Sequence, residues 1–530
     1  MNTTNIPFQE TGFFSKIMCD YLDKDSKLRD FYQNYPDLDG FSAQITQKET
    51  SFSLETRKVL VTALQKQYKT VDVSVNTSNN IELLAKTNTF TVTTGHQLNL
   101  FTGPLYFLYK IFSTINLAAQ LSEKFSDKNF VPVYWMATED HDFEEINFFN
   151  FKGKKVQWNS KQTGAVGRFS TEGLAAVFNE FSKHIGGSKN AVYLKQLFSK
   201  AYLEHKTLAE ATLFIANELF KDYGLVVVDA DNSLLKNLFI PYAKKELLEN
   251  TSFKQVSNSN SILEKDYKVQ VNPREINLFY VKDNIRERIV FEDEIYTIFG
   301  TDITFSENEI LTELSSNPER FSPNVIMRPL YQEVILPNLC YIGGGGEMAY
   351  WLQLKAYFDA VDVVFPILLL RNSVQVISEK QEEKLAKLSI SKQELFLNQH
   401  KLINQKVAEY SQVSVNFNQQ KEFLQEQFND LRIIAAKTDA SFIGAVNAQE
   451  RKQIKGLENL EKRMQRAEKR KHKELVTRIT ELQNEILPNQ GLEERQRNFS
   501  EYYLAYGSKF LDILKEELNP LDLEFTVLTL

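Results

Sequence analysis

Two runs, Phe90-Thr-Val-Thr-Thr94 and Phe130-Val-Pro-Val-Tyr-Trp-Met-Ala137, constrain this chain more than any other feature. The first is β-branched and the second almost wholly apolar, as expected of strands buried on both faces in a parallel sheet. Between them an apolar and aromatic helical pattern opens at Pro104, a favoured first helical position, and runs to about Phe125. Strand, helix and strand make a βαβ unit, whose parallel connection is right-handed. Further strands are expected at Tyr223 to Ala230, Val334 to Ile342 and Val361 to Leu370. The expectation is an α/β fold with a parallel-sheet core.

In such sheets ligands sit outside the carboxyl ends of the strands. The first run leads into Gly95, His96 and Gln97, and then into Thr102-Gly103 before the helix. A strand, a glycine-bearing turn and a helix N-terminus make a ready anion site, so Thr93, Gly95, His96, Thr102 and Gly103 are candidate phosphate ligands. His96 either satisfies a core hydrogen bond or donates to phosphate oxygens. The second run delivers Glu139-Asp140-His141-Asp142 to the same edge. Its composition is that of a metal cluster, but adjacent side chains diverge and cannot all face one ion. The reading is an ammonium or hydroxyl held by one or two of these acids, with others near a helix start. No protein-bound metal, zinc included, is expected; magnesium would arrive with a nucleotide. Gly343 to Gly346 are costly to order, and with Glu347 in the next helical turn they favour a ligand over a plain flexible loop. Arg328 and Arg371 suit phosphate or carboxylate, or else ordinary salt bridges.

At 530 residues the chain predicts two or three domains. Residues 1–373 would be the core, with insertions at about 150–222 and 235–320. Residues 8–35 and Ser53 to Thr70 read as helical, Asn76 to Asn80 as a loop, and Phe148 to Phe169 as a hairpin turning at Lys152-Gly-Lys-Lys155. Residues 172–222 read as helical and 251–310 as mixed. From Val374 the composition turns charged and Gln-rich. Leu457, Leu460, Met464 and Ala467 step by three and four, as do Leu475, Ile479, Leu482 and Ile486. Arms at about 375–435 and 447–487 predict an antiparallel coiled-coil hairpin within 374–490. Residues 491–530 are too aromatic for a tail and should return to the core. The net charge of −7 argues against nucleic-acid and anionic-membrane partners; Lys469 to Lys473 read as a solvated face. Two distant cysteines, Cys19 and Cys340, exclude a disulfide framework and a thiolate zinc site. No signal-peptide layout or long apolar window occurs, so a cytoplasmic protein is expected.

Thr93-x-Gly95-His96 has the form of the T-x-G-H signature of class I nucleotidyltransferase-like folds. Thr94-Gly-His-Gln with Leu100-Phe-Thr-Gly-Pro-Leu-Tyr, Trp135-Met-Ala-Thr-Glu-Asp-His-Asp-Phe-Glu-Glu-Ile, and Arg328-Pro-Leu-Tyr-Gln-Glu with Gly343-Gly-Gly-Gly-Glu-Met-Ala-Tyr-Trp together resemble the cysteine ligases of bacillithiol biosynthesis, the BshC family. The resemblance covers essentially the whole chain. It implies a Rossmann-like core with helical connecting insertions, a coiled coil and a homodimer. The implied reaction joins the carboxylate of cysteine to the amine of glucosaminyl malate after ATP-dependent adenylation. Thr93, Gly95 and His96 would then hold phosphates, with Gln97, Thr102, Gly103, Arg328, Gln332, Glu347 and Arg371 around the nucleotide or substrate. The loop Gly343, Gly344, Gly345 and Gly346 would admit the nucleotide or the substrate backbone. Asp140, His141 and Asp142 would orient the amine. Two other readings stay open: an adenylating or nucleotidyl-transferring enzyme acting on another small acid, and a coiled-coil scaffold with an inactive core. Polar clusters at three strand ends favour an enzyme.

Overall fold

Thr89–His96 (β1), Asn129–Met136 (β2), Val226–Asp229 (β3), Asn338–Gly343 (β4) and Ile367–Leu370 (β5) form one parallel sheet in the order β5-β4-β1-β2-β3. The computed structural model describes residues 2–411, 415–439 and 441–530. Every residue of β1 is buried, and in β2 all but Asn129. The threonines of β1 tolerate this because their hydroxyls are satisfied across the sheet. Thr93 donates to Asn338 Oδ1 at 2.8 Å, and Thr94 to the Ile342 carbonyl at 2.7 Å. Thr93 is therefore a sheet contact and not a phosphate ligand, which corrects its sequence-based role.

Helix α1, Tyr106–Lys124, links β1 to β2 and starts two residues beyond Pro104. Strand order reverses between β1 and β4, the topological switch point where open α/β sheets bind ligands. Helix α2, Arg328–Ile335, precedes β4, and helix α3, Gly345–Trp351, follows it.

The insertions flank the sheet edge. One carries the hairpin of Phe148–Phe151 with Lys154–Gln157, followed by helices between Leu174 and Phe220. The other carries helices Ser233–Glu249 and Thr251–Leu263, and contributes to an antiparallel sheet in the order Thr304–Phe305, Ile295–Ile298, Ile285–Glu292, Leu278–Lys282, Phe321–Pro323. Asn76 to Asn80 are helical, inside Val75–Leu83, and not a loop. Ser74 caps that helix by accepting from the Thr77 amide, while Asn76 and Asn80 donate to the carbonyls of Asp222 and Gly224. Tertiary partners absorb the amides that otherwise favour a turn.

Val374–Ile377 is a strand, not the start of a helical arm. It pairs with Glu524–Thr529, which pairs on its other side with Asn2–Pro7, so the two ends of the chain meet in one small sheet. The first arm is broken into Glu379–Lys387, Gln399–Ser411 and Asn418–Thr438; the second into Phe442–Lys471 and Lys473–Ile486. Lys421 with Glu461 and Arg432 with Glu450, both at 2.6 Å, set Asn418–Thr438 antiparallel to Phe442–Lys471. Ile479, Leu482 and Ile486 are buried, whereas Phe423, Ile433, Ile434 and Phe442 near the far end are exposed. Helices Phe499–Tyr506 and Lys509–Glu517 lie on the core, with Asn116 of α1 donating to the carbonyls of Lys515 and Leu518. No helix among the described residues is long and apolar enough to cross a membrane.

Candidate active site

A cleft of about 430 Å³ opens at the carboxyl ends of β1, β2 and β4, astride the switch point. Gly95 and His96 close β1 at its floor, Glu139 and Asp140 follow β2, and Gly344 to Glu347 follow β4. Gly95 has no room for a larger residue: a Cβ there would lie 3.0 Å from the Tyr341 hydroxyl.

One wall is cationic. Lys110 of α1 is buried; its ammonium donates to the Gly95 carbonyl at 2.6 Å and meets Glu347 Oε2 at 2.5 Å. Glu347 also accepts from the Tyr341 hydroxyl and the Gly344 amide, both at 2.8 Å. Burial alone would raise the Glu347 carboxyl, but the Lys110 charge and these hydrogen bonds hold it below its ordinary value. Burial, only partly opposed by Glu347, lowers Lys110. Arg328 sits among the rings of Trp135, Tyr341 and Trp351, 5.6–5.9 Å from their centroids. Its two hydrogen bonds are long, 3.2 Å to Gln332 Oε1 and 3.3 Å to the Tyr350 hydroxyl. Arg371 engages Glu494 with both terminal nitrogens, at 2.9 and 2.6 Å, and lies over the Tyr106 ring. Its Nε, beside Gly344, is buried without a partner in the described residues.

The facing wall is acidic. Glu139 pairs with Lys236 at 2.5 Å, and burial raises its carboxyl despite that partner. Asp140 Oδ2 accepts from Gln97 at 2.9 Å, and its Oδ1 accepts from the His141 amide at 2.7 Å. Arg286, projecting from Ile285–Glu292, stacks on Phe279 and places Nη1 2.6 Å from His141 Nδ1. That contact requires Nδ1 to accept, so the His141 ring is neutral; burial, then Arg286, lower it. His96 lies against Tyr106 and Phe107, and burial, then Lys110, push it down to about 3. Its imidazole is neutral at pH 7, with Nε2 unpartnered in the described residues.

Two family models match this chain end to end: the N-terminal Rossmann-like domain of bacillithiol biosynthesis BshC over residues 1–372, and its C-terminal coiled-coil domain over residues 374–530. The chain belongs to the BshC family. Relatives described as "Putative cysteine ligase BshC" include one from Flavobacterium johnsoniae, 55% identical over 530 residues and covering all of both chains. One from Christiangramia forsetii is 56% identical over 534 residues, covering 100% of this chain and 99% of the relative. A more distant one from Bacillus cytotoxicus is 27% identical over 519 residues, 94% of each.

In this BshC chain the residues proposed from sequence divide. Gly95, His96, Gln97, Asp140, Arg328, Gly344, Gly345, Gly346, Glu347 and Arg371 line the cleft. Thr102 and Gly103 do not, because the chain fills that turn itself. The Leu105 amide donates to the Arg497 carbonyl at 2.7 Å, and Asn498 donates to the carbonyls of Phe101 and Gly103. Gly343 ends β4, where its carbonyl accepts from the Arg371 amide, and Gln332 is buried behind Arg328. His141 turns to Arg286 and Asp142 precedes the short helix Phe143–Ile146, so neither lines the cleft. Of the run, only Glu139 and Asp140 line the cleft.

Sequence reasoning missed Lys110, Tyr341, Arg286 and Arg495, all of which line the cleft. Lys110 carried a signal, being the only charged residue between Tyr106 and Ser122 of an otherwise apolar helix. Arg286 and Arg495 carried none, since each reaches the cleft from an element far away in sequence.

Proposed function

We propose that this chain ligates L-cysteine to the amine of glucosaminyl malate, forming bacillithiol, with ATP activating the cysteine carboxylate. The observation that carries the reading is the uncommitted hydrogen-bonding capacity that the paired charges leave in the cleft. Arg328 has only long internal bonds and the Arg371 Nε none among the described residues, while Asp140 has no Lys or Arg partner among them. A ligation of this kind brings together anionic phosphate or carboxylate oxygens and an ammonium nitrogen, and each wall suits one of them.

The cysteine carboxylate attacks the α-phosphorus of ATP and pyrophosphate leaves. The amine nitrogen then attacks the acyl carbon, a C–N bond forms, AMP departs and the nitrogen loses its proton. Arg328, with its weak internal hydrogen bonds, and Arg371 through Nε, are the donors for the anionic oxygens. Asp140, which has no Lys or Arg partner within salt-bridge distance among the described residues, holds the ammonium and accepts the proton. Lys110 and Glu347 neutralise one another and position the backbone at Gly95 and Gly344. No group of three or more His, Cys, Asp or Glu residues that could hold a metal occurs among the described residues; magnesium would come bound to the nucleotide and supply charge neutralisation at its phosphates. The cytoplasm is the compartment where ATP and reduced cysteine coexist. The exposed apolar residues Ile433, Ile434 and Phe442 fit a homodimer through the coiled coil. Ile434→Asp with Phe442→Asp should halve the mass in sedimentation equilibrium, and an unchanged mass would refute that contact.

The test is incubation of the full-length protein with ATP, cysteine and glucosaminyl malate, followed by mass spectrometry of the thiol product. Product with cysteine-dependent pyrophosphate release supports the reading. No product where a verified homologue makes it overturns the reading, and phosphate release instead of pyrophosphate would replace adenylation with an acyl phosphate.

A further inference from the structure

A second cavity, of about 300 Å³, adjoins the cleft and shares Gly345, Gly346 and Arg495 with it. Its volume is at the lower end of small-molecule sites. Arg495 belongs to the turn Glu493–Arg495, whose first two residues are buried anchors. Glu493 accepts from the Val376 amide at 2.7 Å and the Tyr502 hydroxyl at 2.8 Å, while Glu494 grips Arg371. The third residue is thereby held where the cavities meet, yet it is exposed and its guanidinium makes no hydrogen bond or ion pair among the described residues. Lys268, on the wall of the second cavity, is likewise exposed and unpaired among the described residues. The other charges there are already matched: Lys16 with Asp20 at 2.7 Å, and Asp266 with Lys27 at 2.6 Å. The cavity therefore offers two uncommitted cations and no uncommitted acid.

We infer that this second cavity is an anion subsite in which Arg495 and Lys268 bind the dicarboxylate end of the amine substrate while its amine reaches the cleft. Gly346, which lines both cavities, has nothing within 4 Å of where a Cβ would stand, so no side chain separates them at that point. Two cations match two carboxylates, and a guanidinium grips a carboxylate by two parallel hydrogen bonds. Arg495 is thus a specificity-determining residue contributed by the C-terminal part of the chain to a site built by the core. The identity of the dianion rests on the ligation reading above. The polyphosphate of ATP is the other anion that could seek the same cations, and the test separates the two.

The experiment measures L-malate binding by calorimetry, and ligation kinetics, for the full-length protein and its Arg495→Gln and Lys268→Gln variants. Arg495→Gln should raise both the Kd for L-malate and the KM for glucosaminyl malate by about tenfold or more, as expected for loss of a charge-assisted pair. The KM values for ATP and cysteine, and the melting temperature, should hold, because Arg495 has no internal partner to lose. Lys268→Gln should act in the same direction, more weakly. Unchanged malate affinity in Arg495→Gln overturns the inference, as does a rise in the KM for ATP without one for glucosaminyl malate. Wild-type protein that binds L-malate through Arg495 but makes no product would refute the ligation reading alone. Ligation that is indifferent to Arg495 would refute the subsite alone.

Discussion

Two glycine-bearing turns lead from strands of the core sheet into helices, and they have opposite fates. The turn after β1, through Thr102 and Gly103, is occupied by the protein itself. The Arg497 carbonyl takes the Leu105 amide, and the Asn498 side chain takes two backbone carbonyls. The turn after β4, through Gly344 to Glu347, opens on the cleft between Lys110 and Arg371. Glycines at a helix start permit close approach but do not say who approaches. That is decided by whether a distant segment, here 495–498, closes the turn or stops short of it.

The largest expected effect is at the open turn. Glu347→Ala would leave the Lys110 ammonium buried without its counter-charge, costing about 3 kcal/mol of stability along with turnover; urea unfolding and a rate assay check both. At the filled turn, Gly103 has φ 62°, and a Cβ would lie 2.5 Å from Asn99 Cβ. Gly103→Ala should therefore destabilise by about 2–3 kcal/mol, while any protein that folds keeps its substrate KM values. Gly346→Ala is the converse. Its Cβ meets nothing, so unfolding should move by no more than about 0.5 kcal/mol, while the KM for glucosaminyl malate rises. If Gly346→Ala unfolds the protein, or Gly103→Ala impairs binding alone, the contrast between the turns fails.

His96 tests the same floor through pH. Its folded pKa of about 3 lies below that of an unfolded histidine, near 6.5. The unfolded chain therefore binds the extra proton first, and the stability contributed by the neutral imidazole is lost as pH falls below about 6.5. In His96→Gln the fall in unfolding free energy from pH 6.5 to pH 5 should shrink by up to about 2 kcal/mol. An unaltered pH dependence would contradict a buried neutral ring.

The sheet was legible in the sequence because its strands are short, apolar and bounded by polar clusters. Placing 95–97, 139–140 and 344–347 at one edge follows from parallel strands alone. The roles of Thr93, Thr102 and Gln332 were not legible. Thr93 is settled by Asn338 on a neighbouring strand, Gln332 by Arg328 and Glu333 of its own helix, and Thr102 by burial in a turn that segment 497–498 closes. His141 and Asp142 leave the cleft for a local reason: the His141 ring turns to Arg286, and Asp142 leads into the short helix Phe143–Ile146. Arg286 and Arg495 lie outside every motif, and the topology alone brings them to the cleft. The coiled coil was legible in periodicity, but its base was not. Val374 to Ile377 is too short a run to show a period of its own, and it is a strand because 524–529, itself paired with 2–7, lies beside it.

The most direct test of the contrast compares the ligation rate of Arg328→Met, beside the open turn, with that of Thr102→Val, in the filled one. Both variants should remain folded by melting temperature. Arg328→Met should lose about 100-fold or more in turnover, the usual cost of removing one donor to a developing charge, and Thr102→Val should stay near wild type. A folded Thr102→Val variant without activity, beside an active Arg328→Met, would place the chemistry at the wrong turn and contradict the account.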